Sequence, residues 1–367
     1  MRRRRNTFKR HAEPSKPMST TTAAKFPAST HPVSAPPTDL APIVKWFESR
    51  RDARERFRWA LRDSMDELLD GQRTGRWAYD HLTKTEKTHL GTVVEVNLTK
   101  EFEIPNGEDL DWKVARADLD CKFSKDLGGW EIPMEMYLCQ DHGPRSGSAD
   151  HPALLVWMND DTSEWGAGVI RTTDLRLRWL ADGVTRAYNR DNKRRLAGPS
   201  NAQIYWLWGG IHSDLPANVI WQLSPTQRDH IFAVRSGQER VDRLFCTVQQ
   251  RLVTRAVVLT VAQQEDAPKR ARDARLRLRE RGIVVLGHQE NHPVVADALA
   301  LERPQKGEWV SVRVVRVSEG SPRARLWVGA YEDKKVRSLE GWWAVALEDE
   351  PEGPGPVLTS KVQVRGR

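Results

Sequence analysis

Two aspartates, a glutamate and a lysine carry the strongest chemical signal in this 367-residue chain. Asp111 opens Asp111-Trp112-Lys113-Val114, and Asp120 lies in Leu119-Asp120-Cys121-Lys122-Phe123. On a strand, alternate residues share a face. Asp120 and Lys122 then project together, while Leu119, Cys121 and Phe123 point the other way, towards a core. A turn centred on Arg116 sets Asp111 opposite the 120–122 stretch. Glu95 stands between Val94 and Val96 on a helix just upstream, where a carboxylate is costly unless it has a partner. Three carboxylates and an ammonium in one patch suit phosphodiester hydrolysis. Carboxylate oxygens hold Mg²⁺, and the metal lowers the pKa of a bound water and neutralises charge on the phosphate. A nearby lysine orients that water or deprotonates it. The Asp/Glu-x-Lys triplet alone is a weak signal: five occur in this chain, and a surface hairpin with alternating charges is the plain alternative.

The elements that must position these groups are legible as patterns. Apolar residues recur at mostly helical spacing over 54–69, and Asp70-Gly71 ends that helix. A second helix starts at Thr83, with Glu86 three residues on as a capping box. It carries Leu90, Val93, Val94, Leu98 and Phe102 beside Glu95. Strands are predicted over 110–115, 119–124, 153–157 and 165–171. Gly209-Gly210 and the Pro216-containing stretch 213–218 read as a linker. Beyond it the pattern is mainly helical to about residue 281, with strands at 283–286, 310–317 and 325–330. The formal charge is +8. The first forty residues hold eight Lys or Arg against two acids and are rich in Pro, Ser, Thr and Ala, so they read as a disordered arm. The predicted organisation is a tail over 1–48, an α/β (α+β) domain over 49–208, a linker over 209–218, a mainly helical domain over 219–348 and a fraying tail over 349–367. No apolar run approaches the roughly 18 residues of a membrane span. Three cysteines without a CxxC pair argue against a cysteine metal cage or a disulfide framework.

Longer motifs sharpen this reading. Asp70-Gly71-Gln72-Arg73-Thr74-Gly75-Arg76-Trp77, Lys84-Thr85-Glu86-Lys87-Thr88-His89, Gly91-Thr92-Val93-Val94-Glu95 and Asp120-Cys121-Lys122-Phe123-Ser124 resemble the NaeI family of type II restriction endonucleases. The likeness continues at Asn189-Arg190-Asp191, Lys193-Arg194-Arg195-Leu196, Val261-Ala262-Gln263-Gln264 and residues 282–291. It implies a MutH-like PD-(D/E)xK nuclease domain followed by a CAP-like winged helix-turn-helix domain that binds a second, effector copy of the DNA. By the same resemblance, the metal-binding acids fall on Glu95, Asp111 and Asp120 and the catalytic lysine on Lys122. Asp109-Leu110-Asp111 offers two acids for the second position, and the usual Pro before the first is absent. The implied activity is Mg²⁺-dependent cutting of both DNA strands. A MutH-like nickase and a non-catalytic DNA-binding regulator are the alternatives.

Several residues are candidates for touching DNA. Arg73 and Arg76 lie on a Gly-rich turn, where arginine reaches phosphate or a guanine edge. Lys84 and Lys87 flank the entrance of the Glu95 helix. Arg190, Arg194 and Arg195 belong to a basic run over 186–195, and Lys269 and Arg270 open another over 269–281. A helix pair, that basic run and a strand suit a winged helix-turn-helix. Gln263 and Gln264 are candidates for adenine edges. Residues 288–292 superficially suggest an HNH nuclease but read as a strand-to-helix loop. A palindromic target needs two active sites, so a two-fold homodimer is expected. The other expectations are a bacterial-type cytoplasmic protein, no membrane partner, and a protecting DNA methyltransferase that is not a stable subunit.

Overall fold

The computed structural model describes residues 8–21, 26, 35–133, 136, 150–178, 193–332, 337–338, 340–358 and 362–364. In chain order the elements are α1 (Ala41–Glu48), α2 (Ala53–Leu69), the short α3 (Gly71–Thr74) and α4 (Lys84–Phe102). There follow β1 (Trp112–Val114), β2 (Ala117–Ser124), β3 (Pro152–Asn159), β4 (Glu164–Arg171) and β5 (Tyr205–Trp206). Then come α5 (Pro225–Phe232), α6 (Gly237–Thr247), β6 (Leu252–Thr254), α7 (Arg255–Ala262), α8 (Ala267–Leu278), β7 (Ile283–Leu286) and α9 (His292–Ala298). The remainder is β8 (Glu308–Val317), β9 (Leu326–Val328), β10 (Tyr331–Glu332), β11 (Arg337–Ser338), β12 (Gly341–Val345) and β13 (Val362–Val364). The chain is thus mixed α/β, as its patterning predicts. It divides into two compact units: Pro14–Leu69 with Ala78–Asn218, and Met1–Glu13 with Asp70–Trp77 and Val219–Arg367. Among the described residues, no helix is long and apolar enough to cross a membrane.

The first unit is a five-stranded sheet of order β1-β2-β3-β4-β5. Only β2 and β3 run parallel; the other neighbours are antiparallel. β1 and β2 form a hairpin that pairs Trp112 with Leu119 and Val114 with Ala117. Its two-residue loop, Ala115-Arg116, has φ of 50° and 70°. That left-handed pair matches the twist of a tight hairpin, and here non-glycine residues bear its strain. Helix α4 begins at the predicted capping box, Thr83 with Glu86. Such a cap contributes about 1 kcal/mol. Leu90, Val94, Leu98 and Phe102 recur every fourth residue and enter the same core as Trp112, Leu119 and Cys121. Each apolar side chain so buried contributes about 1.5–3 kcal/mol. A second core on the sheet contains Ala153, Leu155, Trp157, Ile170 and Trp130.

In the second unit α6, α7 and α8 pack on one another, and β8 pairs with both β6 and β7. Further along, β8 pairs with β12, followed by β9 and β13. This unit also holds residues 70–77, which the sequence pattern places in the first domain. α3 packs on α7, and a Cβ at Gly71 would lie 2.1 Å from the Thr260 hydroxyl. The N-terminal segment 8–13 belongs here too. The Gln263 side chain pairs with the Lys9 backbone in both directions, at 2.7 and 2.8 Å, and Glu13 ion-pairs with Arg228 at 2.5 Å.

Four further expectations need correction. Residues 8–21 and 41–48, read as tail, are structured: Met18, Ile43, Val44 and Phe47 are buried, because they supply apolar surface to the first unit's core. Segment 209–218, read as a linker, packs onto the first unit. His212 exchanges backbone hydrogen bonds with Trp165, and Asn218 donates to buried Asp160 at 2.8 Å. The stretch read as mainly helical to about residue 281 is interrupted, since α6 ends at Thr247 and residues 252–254 join the sheet as β6. The described part of 349–367 is tied down by Glu350 to Arg323 and Glu352 to Arg281, both at 2.7 Å, and by β13.

Gly75 combines a φ of 73° with a crowded setting, since a Cβ there would lie 2.6 Å from Gln263 Nε2 and 2.7 Å from the Lys9 carbonyl. Gly75→Ala is expected to destabilise the protein by about 2 kcal/mol through strain and overpacking. Chemical denaturation with the unchanged wild type alongside measures it; equal midpoints would mean that residues 9 and 263 do not close over this turn.

Candidate active site

The structure brings Glu95, Asp111, Asp120 and Lys122 together. Asp120 and Lys122 lie on β2 and form an ion pair. Asp120 is 3% exposed although it points away from Leu119 and Cys121, so both faces of β2 are covered at this position. Extending the hairpin register by one residue sets Asp111 opposite Asp120. Asp111 is exposed, just beyond the last paired residue of β1. Glu95 is partly buried on α4, flanked by buried Val94 and half-exposed Val96.

The electrostatics of Glu95 report this clustering. Its carboxyl is pushed up from 4.5 to about 7, first by burial, then by the negative charges of Asp111 and Asp120, with Lys122 acting in the opposite direction. Of the two acids in Asp109-Leu110-Asp111, it is Asp111 whose charge acts on Glu95. A brace also ties β1 to the Glu95 turn of α4. The Trp112 indole donates to the Thr99 hydroxyl at 2.7 Å, and that hydroxyl donates to the Glu95 carbonyl at 2.8 Å. Burial pushes the Cys121 thiol well up, with Glu95 adding to the effect, so it is a core residue and not a nucleophile.

Among the described residues, no group of three or more His, Cys, Asp or Glu side chains is close enough to enclose a metal ion by itself. The donor set nevertheless fits a hard cation. Mg²⁺ is held through one or two carboxylates with the rest of its shell supplied by water and phosphate, and Asp111 and Asp120 offer two such oxygen donors beside a third, Glu95.

Sequence reasoning missed Asp118. Its carboxylate oxygen accepts hydrogen bonds from the backbone N–H groups of Glu108, Asp109 and Leu110, and Lys113 lies 3.0 Å from its other oxygen. The available signal was the Asp118-Leu119-Asp120 alternation, which places Asp118 on the face of Asp120.

The candidate DNA-contacting residues separate. Arg73 is exposed and paired with Asp70 at 2.7 Å, and Arg76 bonds to the Thr74 hydroxyl; both lie in the second unit. Lys84 is exposed, whereas Lys87 is 3.4 Å from Asp80 and 5.2 Å from the Tyr79 ring. Arg190 lies outside the described residues. Arg195 is exposed, with Glu131 3.8 Å away. Arg194 is 2% exposed and donates to the Arg178 carbonyl, so it braces the fold and presents nothing to a groove. Gln263 is likewise buried against Lys9, while Gln264 packs near Gly237. On α8, Arg270 pairs with Asp266 and Arg277 with Asp242, and Arg275 donates to the Val285 carbonyl. Lys269 and Arg272 are exposed and lack an ion pair among the described residues. In the HNH-like stretch, His292 is buried and accepts from the Gly287 N–H. Burial, then Arg275, pulls its pKa down to about 4, so it is a neutral loop-to-helix residue.

Comparison with known proteins bears on this constellation. The family model for restriction endonuclease NaeI matches residues 43–338. The type II restriction enzyme NaeI of Lentzea aerocolonigenes is 39% identical over 336 residues, covering 89% of this chain and 96% of that enzyme. A match of that extent, across the acid cluster and both structural units, makes this chain a member of the NaeI restriction endonuclease family and a site-specific deoxyribonuclease acting on double-stranded DNA.

Proposed function

We propose that this endonuclease hydrolyses DNA at the Glu95–Asp111–Asp120–Lys122 patch of a MutH-like PD-(D/E)xK domain, with Mg²⁺ as the metal. The observation that carries the proposal is the hairpin register that sets Asp111 opposite Asp120, with Lys122 paired to Asp120 on the same strand face; the Glu95 carboxyl, raised first by burial and then by these two acids, agrees with it. Mg²⁺ bound there supplies charge neutralisation at the scissile phosphate and a more acidic water. Asp111 and Asp120 provide its oxygen donors, with help from Glu95. Lys122 holds its ammonium against Asp120 at the edge of the patch. From that position it donates hydrogen bonds that orient the attacking water or a phosphate oxygen and stabilises the negative charge that grows in the transition state.

In the second unit, the order α6-β6-α7-α8-β7-β8, with β8 between β6 and β7, supports a CAP-like winged helix-turn-helix with α8 as the helix that enters a groove. We propose that it binds an effector copy of the DNA. Lys269 and Arg272 are the cations on α8 that remain available for phosphate. A homodimer fits a palindromic target, and a separate methyltransferase fits a restriction role.

Asp120→Ala and Lys122→Ala are expected to cut at least about a hundredfold more slowly with Mg²⁺, while still binding target DNA; wild-type cutting by both would falsify the assignment. Lys269→Ala and Arg272→Ala should each weaken effector-DNA binding and reduce the slope of log affinity against log salt by about 1; an unchanged slope places the DNA elsewhere. A pH series on the metal-free protein tests Glu95 independently. The folded carboxyl keeps its proton to about pH 7, whereas an unfolded glutamate loses it near 4.5, so stability is lost as pH rises through that window. Glu95→Gln should flatten this loss and be more stable than wild type at pH 8, with the difference gone below pH 4.5, as read by denaturant midpoints.

A further inference from the structure

We infer that Asp118 is a positioning residue that fixes the direction of Asp111, and the inference rests on the reading of Asp111 as part of the active site. The β1–β2 pairing fixes residues 112–119. Asp111 lies one residue outside that ladder and is exposed, so the hairpin alone does not aim it. The three residues before it are wrapped around a single oxygen of Asp118, which accepts from the N–H groups of Glu108, Asp109 and Leu110 at 3.0, 2.5 and 3.3 Å. Successive N–H groups of this kind form a cradle for an anion, and here the anion is the chain's own carboxylate. Lys113 completes the clasp, 3.0 Å from both Asp118 Oδ1 and Glu108 Oε1. The Asp118 side chain is buried, and its two oxygens are engaged by the 108–110 backbone and by Lys113. It therefore sits beside Asp120 on one strand face but serves a different purpose, holding the loop that delivers the second acid.

A supporting residue of this kind typically changes metal affinity 10- to 100-fold when lost. The test uses full-length Asp118→Ala, Asp118→Asn and Asp111→Ala beside wild type. Binding of Mn²⁺ alone is followed by electron paramagnetic resonance of the free ion, and half-saturating Mg²⁺ is taken from cleavage of target DNA. Asp118→Ala is expected to weaken Mn²⁺ binding and raise half-saturating Mg²⁺ by at least about tenfold, with metal-free DNA binding unchanged. Asp118→Asn keeps an acceptor oxygen but loses the charge that strengthens its hydrogen bonds, and should shift both by about threefold. Wild-type metal dependence in Asp118→Ala overturns the inference. Should the alanine variant not fold, wild-type dependence in Asp118→Asn overturns it equally. Unaltered Mn²⁺ binding and cutting by Asp111→Ala would instead remove the active-site reading, which separates the two failures.

Discussion

The negative charges of Asp111 and Asp120 both bear on the half-buried carboxyl of Glu95, and the fold around them has to hold that repulsion in place. Glu95 registers it most directly, retaining its proton to about pH 7 because it is buried and Asp111 and Asp120 are near. Lys122 relieves part of it by pairing with Asp120. The remainder is opposed by structure that carries no charge at the site. The Thr83–Glu86 cap fixes the start of α4, a column of buried apolar residues presses α4 to the sheet, and the Trp112–Thr99 brace ties β1 to the turn that carries Glu95. A site preorganised in this way costs stability in the empty protein and lends it to a cation.

The cations of the chain divide by a simple physical criterion, whether a partner has already claimed them. Most arginines of the 269–281 run are spoken for by Asp266, Asp242, Glu352 or backbone carbonyls. Buried guanidiniums such as those of Arg194 and Arg240 serve the backbone instead, Arg240 donating to carbonyls at the end of α7. Charge runs in the sequence therefore overstate the number of cations left unpaired at the surface.

The local part of this architecture was legible in the sequence. The capping box, the turn after Val114, the alternation along β2 and the strand at 283–286 all depend on residues close in the chain, where periodicity and turn chemistry dominate. The 95–111–120–122 spacing was legible for the same reason, one helix and one hairpin apart. What escaped was long-range pairing. Nothing within five residues of Gln263 signals that Lys9 will occupy its amide, and nothing near Gly71 signals Thr260. Asp118 escaped for a different reason: a buried acid that serves the backbone looks in sequence like any other charge on a strand.

The excursion of residues 70–77 has a consequence for how such a protein can be cut, copied or recombined. The polypeptide passes between its two units after residues 13, 69, 77 and 218. A gene divided at codon 218 yields a downstream fragment in which α7 lacks α3 and Gln263 lacks Lys9, and an upstream fragment with an orphaned loop. The two units are stitched by their chain, not strung as beads, so lineage-level shuffling of one without the other meets a covalent obstacle.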